Sequence, residues 1–231
     1  MERFENNRTA ELPEAFLTRM KKITGEHFAD FASAMEAPPV RGLRVNPAAS
    51  PSVLAELPVR AIPGIDGAFF LDTDERIGNH PLHHAGAFYL QEPAAMLPVA
   101  SAVSEGLIPA GARALDLCAA PGGKTFQIAS AVGEDGLLVS NEIVPSRCAA
   151  LAGNVERLGL RRVTVTNTDS RAFGEYTPGF FDVLVVDAPC SGEGMFRKTP
   201  EAVREWNPTS PASSAVRQRA ILSAALPCLK T

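Results

Sequence analysis

A chain of 231 residues with 45% hydrophobic and 21% charged side chains has the length and composition of a globular protein with a real core. Its net charge of −4 excludes a globally basic nucleic-acid binder, so any such contact must come from a local patch. No apolar run approaches the ~20 residues of a membrane helix, and the polar start MERFENNRTAELPEAF lacks the apolar stretch of a signal peptide.

Residues 11–36 carry Leu12, Phe16, Met20, Ile23, Phe28 and Phe31 at helical spacing among charged residues, which predicts a helix. Over residues 38–70, Pro and Gly punctuate short apolar pieces, and short strands and turns of a small α+β unit are expected. A polar stretch follows. Residues 89–103, YLQEPAAMLPVASAV, then read as an apolar helix with Pro93 in its first turn and room for a kink at Pro98. From residue 112 the pattern is regular. Strands are predicted at 112–118, 136–143, 163–169 and 181–189, and helices at Lys124–Val132, Ser146–Leu158 and Ser213–Leu229. The last strand, FDVLVVDAP, is almost wholly apolar, as a parallel strand covered on both faces should be. The alternation predicts a doubly wound parallel sheet with its ligand at the carboxyl ends of the strands. Residues 1–80 are read as an N-terminal α+β subdomain and 81–231 as the parallel-sheet domain. A helix ending in LPCLKT should feed a further strand, so an open sheet edge and a chain cut short at Thr231 are expected.

Residues 115–125, LDLCAAPGGKT, run from a strand through a Gly-rich turn into a helix. Glycines let backbone approach a ligand, and a helix N-terminus offers unpaired N–H groups to an anion. GGKT resembles the end of a phosphate-binding Walker loop, but that motif requires Gly where Cys118 stands. The dinucleotide pattern G-x-G-x-x-G fails as well. An S-adenosylmethionine loop fits better, with acids at the ends of successive strands: Asp116, Glu142 placed for the ribose hydroxyls, and Asp169 placed for the adenine amino group. Residues 186–198, VDAPCSGEGMFRK, set an acid and a thiol, Asp187 and Cys190, three residues apart after a buried strand. Most free cysteines are small buried hydrophobes, yet a Pro/Gly loop beside an acid argues for a reactive position.

Together CAAPGGKT and DAPCSGEGMFRK resemble the Sun/Nop-type RNA cytosine-5 methyltransferases, and the GEGMFRK ending resembles their bacterial ribosomal-RNA branch. RGLRVNP at 41–47 and FYLQEPAAM at 88–96 extend the likeness over almost the whole chain. The resemblance implies a Rossmann-like, S-adenosylmethionine-dependent methyltransferase sheet preceded by a small α+β domain. It implies cofactor binding by Cys118, Ala119, Ala120, Pro121, Gly122, Gly123 and Lys124, together with Glu142, Arg147, Asp169 and Asp187. It places Lys124 near the target base, gives Asp187 the cytosine ring, and gives Cys190 a part in product release. In the family the attacking cysteine belongs to a later TC motif. No Thr-Cys pair occurs before Thr231, so these residues by themselves are expected to be inactive. Cys228 reads as core, and Cys118 and Cys148 as unconvincing nucleophiles. A noncatalytic RNA- or cofactor-binding protein of the same fold is the alternative.

Arg41, Arg44 and Asn46 match a family segment that contacts phosphates. Arg197 and Lys198 follow the active-site loop and are placed to hold RNA around a flipped base. Trp206 and Phe196 suit either base stacking or core. The histidines at 80, 83 and 84 have no zinc spacing, and no metal is expected. RNA, ribosomal RNA in particular, is the expected partner, with no membrane partner, a monomeric full-length protein, and reduced thiols in the cytoplasm.

Overall fold

The computed structural model describes residues 12–231, so the polar N-terminal stretch and Glu11, the head of the first predicted helix, lie outside the described residues. Two units divide the chain. A helical unit holds Pro189–Arg219 together with the chain up to Pro39, and a sheet unit holds Val40–Ala188 and Ala220–Thr231.

In the helical unit the single predicted helix is two, α1 (Glu14–Thr24) and α2 (Phe28–Glu36). The apolar spacing continues across the break, but Gly25, a poor helix former, ends α1 and opens a 3₁₀ turn.

The sheet unit begins with β1 (Gly42–Val45), β2 (Val59–Ala61), β3 (Ala68–Leu71), α3 (Pro81–His84) and β4 (Phe88–Leu90). The four strands form an antiparallel sheet in the order β2-β3-β1-β4. Tyr89 does not start a helix but pairs with Arg44 of β1, and Pro93 at the first helical position starts α4 (Pro93–Ser104) four residues later. Pairing with β1 outweighs the helical preference of a Phe-Tyr-Leu run, which suits a strand at least as well. Leu43, Val53, Leu57, Leu71, Ile77 and Phe88 form the core beneath.

The second sheet follows the predicted alternation: β5 (Arg113–Asp116), α5 (Gly123–Val132), β6 (Leu137–Asn141), α6 (Pro145–Arg157), β7 (Val163–Thr166), α7 (Ser170–Tyr176) and β8 (Val183–Val185). All four strands are parallel, in the order β7-β6-β5-β8. Strand alternation sends Ala114 and Leu138 to the side of Val99, Ile128 and Val132, and Leu115 to the side of Phe173, Phe181, Ala225 and Cys228. Helices thus cover both faces, which is the expected α/β, Rossmann-like class. Two details differ from expectation. The third strand stops at Thr166, and the unpredicted α7 follows, with Asp169 as its N-cap. The apolar β8 is only half buried, because it is the last strand in the sheet order and, among the described residues, has a ladder partner on one side only.

The chain closes with α8 (Pro200–Glu205) in the helical unit and α9 (Ser210–Ala225). The predicted last helix ran to Leu229. Pro227 instead sits in a 3₁₀ turn, and Leu229 forms a parallel bridge with Phe181. Cys228 is buried core, as expected.

In the sheet unit the antiparallel half is held together, and held to the end of α6, by a few polar contacts. Asn46 Nδ2 donates to Gly86 O at 2.9 Å and to Leu158 O at 2.8 Å. Arg157, at the end of α6, donates from Nη1 to His83 O at 2.6 Å and Phe88 O at 3.3 Å. α3 and β4, beyond the predicted boundary at residue 80, belong to the antiparallel half of this unit. In the helical unit Phe16, Phe196 and Val203 form the core with Trp206, and Arg19 is ion-paired with Glu193.

Candidate functional site

The chain leaves β5 for β6 on one side while β8 lies on the other, so the carboxyl ends of β5 and β8 border the crevice where open α/β sheets take their ligands. The turn Cys118–Gly122 enters this crevice and is braced from behind. Ala119 N donates to Asn141 O at 2.8 Å, Arg147 Nη2 to Ala120 O at 2.8 Å, and Asn154 Nδ2 to Pro121 O at 2.9 Å. Ala119 and Ala120 are buried against Leu151 and Val155 of α6. Gly123 opens α5 under close neighbours, since a Cβ there would lie 3.0 Å from Gln91 Nε2 and 3.2 Å from Tyr89 Cε1. One reason for the second glycine is therefore packing against β4 and the residue after it.

Three acids were expected on this edge, and the structure gives each a different environment. Asp116 is fully buried; its Oδ2 accepts from Thr125 Oγ1 at 2.7 Å, and its Oδ1 has no hydrogen-bond partner among the described residues. Burial pushes its carboxyl up to about 6, against the pull of the Thr125 hydrogen bond and the Lys124 charge. Glu142 is buried at the end of β6. Its Oε1 accepts from Val144 N at 3.0 Å, and its Oε2 faces Arg147 Nη1 at 3.5 Å without a hydrogen bond. Asp169 is already engaged: it accepts from Arg171 N and Nε, both at 2.9 Å, and these bonds hold its carboxyl below the usual range.

The Asp116 environment carries a pH prediction. A carboxyl whose folded pKa lies above its unfolded value adds stability below the unfolded pKa, and that contribution is lost as pH rises through about 6. Asp116→Asn should therefore gain stability relative to the parent between about pH 4 and pH 7, by up to ~3 kcal/mol. Urea unfolding of both proteins at several pH values measures this, and parallel pH profiles would contradict it.

Lys124, in the first turn of α5, and Asp187, from the loop after β8, are brought together across the crevice, with Nζ donating to Oδ2 at 2.7 Å. Cys118, within the turn, is half buried, and burial plus the nearby Glu142, Asp116 and Asp187 charges push its thiol up to about 11, which suits no nucleophile. Cys190 is exposed and, like Arg197 and Lys198, belongs to the helical unit. Two of the other residues proposed for RNA have structural duties. Arg41 donates to Thr73 O and, at 2.8 Å, to Glu75 O. Asn46 is buried with both amide donations made to backbone, so we assign it to the fold and not to phosphate. Arg44 is half buried, and its Nε has no hydrogen-bond partner among the described residues.

Sequence reading missed two residues. Asn141, buried, donates to Leu117 O at 3.2 Å and Thr168 O at 3.0 Å and accepts from Thr166 Oγ1 at 2.9 Å, tying together the ends of three strands. Its place just before Glu142 was the available signal. Thr125, the last residue of GGKT, holds Asp116. Among the described residues no group of three or more His, Cys, Asp or Glu side chains is arranged to hold a metal, and no helix is long and apolar enough to cross a membrane.

Residues 108–231 match the family described as 16S rRNA methyltransferase RsmB/F, and residues 12–93 match the N-terminal domain of 16S rRNA methyltransferase RsmF. The chain belongs to the RsmB/F family. It is similar to the ribosomal RNA small subunit methyltransferase F of Escherichia fergusonii, with 37% identity over 236 residues covering 96% of this chain and 49% of that protein. The protein of the same description from Shigella dysenteriae serotype 1 gives the same values. The chain thus spans about half the length of the curated relatives it matches. Among solved structures, a methyltransferase homologue from Pyrococcus horikoshii matches with TM-score 0.75 and 28% identity, over 95% of this chain and 70% of that one. NSun6 from the same organism, solved with SFG, shares the fold at TM-score 0.79 and 17% identity, over 94% of this chain and 80% of that one. The RsmB/F match thus reaches from the strand carrying Asp116 to Thr231 and contains the Lys124–Asp187 pair.

Proposed function

We propose that the chain binds S-adenosylmethionine at the carboxyl ends of β5, β6 and β7 and serves methylation of carbon 5 of a cytidine in small-subunit ribosomal RNA. The observation that carries the cofactor reading is the buried Glu142 Oε2, an acceptor without a hydrogen bond at the strand end where a ribose hydroxyl would donate. Arg147 ties that carboxylate to the Cys118–Gly123 turn. Ile143, exposed beside Glu142, offers an apolar surface to the adenine. Asp169 reaches the adenine amino group only by sharing its carboxylate with Arg171. Glu142→Ala should weaken cofactor binding by ~1–3 kcal/mol, the cost of unpaired hydroxyls, as read by titration calorimetry. A folded protein that ignores S-adenosylmethionine and binds ATP tightly would reinstate the Walker reading.

S-adenosylmethionine supplies an electrophilic methyl group. Cytosine carbon 5 is a poor nucleophile until a thiolate adds to ring carbon 6. Asp187 delivers a proton to ring nitrogen 3 as the thiolate adds, and the Lys124 ammonium, 2.7 Å from that carboxyl, offsets the charge left on the carboxylate. Cys190 serves the release step: its sulfur accepts the carbon-5 proton, the electrons of that bond re-form the ring double bond, and the attacking cysteine departs as a thiolate. Arg44, Arg197 and Lys198 hold the RNA backbone.

The attacking thiol of the family lies in a TC motif, and the 231 residues contain no Thr-Cys pair. This favours, as a second reading, a noncatalytic RNA- and cofactor-binding role for these residues alone. On both readings they should bind cofactor but form no covalent adduct with RNA containing 5-fluorocytosine, as judged by denaturing electrophoresis. An adduct that is lost on Cys190→Ser would make Cys190 the attacking thiol.

A further inference from the structure

The helical unit carries a cavity of about 390 Å³ that is bordered by the active-site loop at Cys190 and, farther along the chain, by Glu205, Trp206, Asn207, Ser213 and Arg217. Its volume lies within the range of small-ligand pockets. Trp206 is fixed in place. Its Nε1 donates to Glu193 Oε1 at 2.9 Å, and the rings of Phe16 and Phe196 meet it edge-on at 6.2 and 6.1 Å. Asn207 Oδ1 accepts from Thr209 N at 3.0 Å and Thr209 Oγ1 at 2.6 Å, which leaves its amino group without a protein partner among the described residues. Glu205 and Arg217 line the same cavity with opposite charges, yet among the described residues neither side chain has an ion pair or hydrogen bond.

Two opposite charges that share a cavity without meeting leave room for a group that satisfies both. A guanine does so. Its oxygen 6 and ring nitrogen 7 accept from a guanidinium, its nitrogen-1 and 2-amino hydrogens donate to a carboxylate, and its face stacks on an indole. Adenine presents an amino group where guanine presents oxygen 6, so Arg217 would meet a donor. Uracil and cytosine lack ring nitrogen 7 altogether.

We propose that this cavity is a subsite for an unstacked guanosine that neighbours the modified cytidine in the RNA. The placement beside the target rests on the proposed function, which puts the target cytosine at Cys190; the cavity itself does not. Glu205 and Arg217 are then specificity residues, and Trp206 is the stacking platform.

Trp206 is the one tryptophan in the chain, so its fluorescence reports this cavity directly. A six-nucleotide single-stranded RNA with one guanosine beside a cytidine is titrated against the 231-residue protein, and the same RNA with adenosine in that place serves as the comparison. The guanosine RNA should quench saturably and bind about tenfold or more tightly than the adenosine RNA. Arg217→Gln and Glu205→Gln should each remove that preference while the melting temperature and S-adenosylmethionine binding stay unchanged. No saturable quench by either RNA, or a preference that survives both substitutions, overturns the subsite. Cofactor titration on the same samples separates the two ideas: cofactor binding without quench removes only the subsite, whereas loss of cofactor binding in the folded parent protein counts against the proposed function.

Discussion

Gly86→Ala is expected to destabilise the protein by at least ~3 kcal/mol, beyond the range of ordinary surface substitutions. Gly86 has φ of +74°, and a Cβ there would lie 1.9 Å from the carbonyl oxygen of Arg157. That oxygen is backbone at the end of α6 and cannot swing aside as a side chain would. The same contact region holds the Asn46 donations to Gly86 O and Leu158 O, so any shift that relieves the overlap breaks buried hydrogen bonds as well. Gly64→Ala supplies the control. It has nearly the same φ, +78°, but no atom within 4 Å of the added carbon, so it should cost only the ~1 kcal/mol of a left-handed non-glycine residue. Urea unfolding of the two variants reads the difference. Equal midpoints would mean that backbone conformation, and not the close approach of the end of α6, explains Gly86.

Asp187→Asn should lower methyl transfer by about a thousandfold in a protein that carries both these residues and the attacking cysteine, an effect of the size seen when an oriented electrostatic partner is removed. An amide at that position keeps the shape but cannot deliver a proton to ring nitrogen 3 and leave a carboxylate for the Lys124 ammonium, 2.7 Å away, to balance. Lys124→Met should produce a loss of similar order, and the double variant should be little worse than either single one, because the two side chains act as a unit. Cys190→Ser should behave differently: attack proceeds, release slows, and a covalent protein–RNA complex accumulates. Radiolabelled methyl transfer to a ribosomal RNA transcript, with denaturing electrophoresis for the complex, separates these outcomes. Additive losses at Lys124 and Asp187 would show that the ion pair is not the working unit.

The parallel half of the fold and the character of its loops are legible in the amino-acid chain alone. Apolar runs of strand length alternate with helical spacing from residue 112, and CAAPGGKT and DAPC mark the turns after β5 and β8. These are local signals, because burial of one face of one element is written in its own periodicity. The family resemblance added the chemistry to those turns. What the tertiary structure alone decided depends on residues far apart in the chain. Whether Tyr89 opens a helix or pairs as β4 depends on β1, more than forty residues earlier, and sheet pairing won. Asp169 reads as a strand-end acid and is instead the cap of α7, engaged with Arg171 two residues on; that cap is local, and only the end of β7 at Thr166 is set by pairing with β6. Asn46 looked like a phosphate contact, but its amide reaches Leu158, 112 residues away, and Lys124 meets Asp187 across 63. Such partners are chosen by the order β7-β6-β5-β8 and by the packing of the antiparallel half against the end of α6, and a polar side chain carries no mark in sequence of which distant carbonyl or carboxylate will satisfy it.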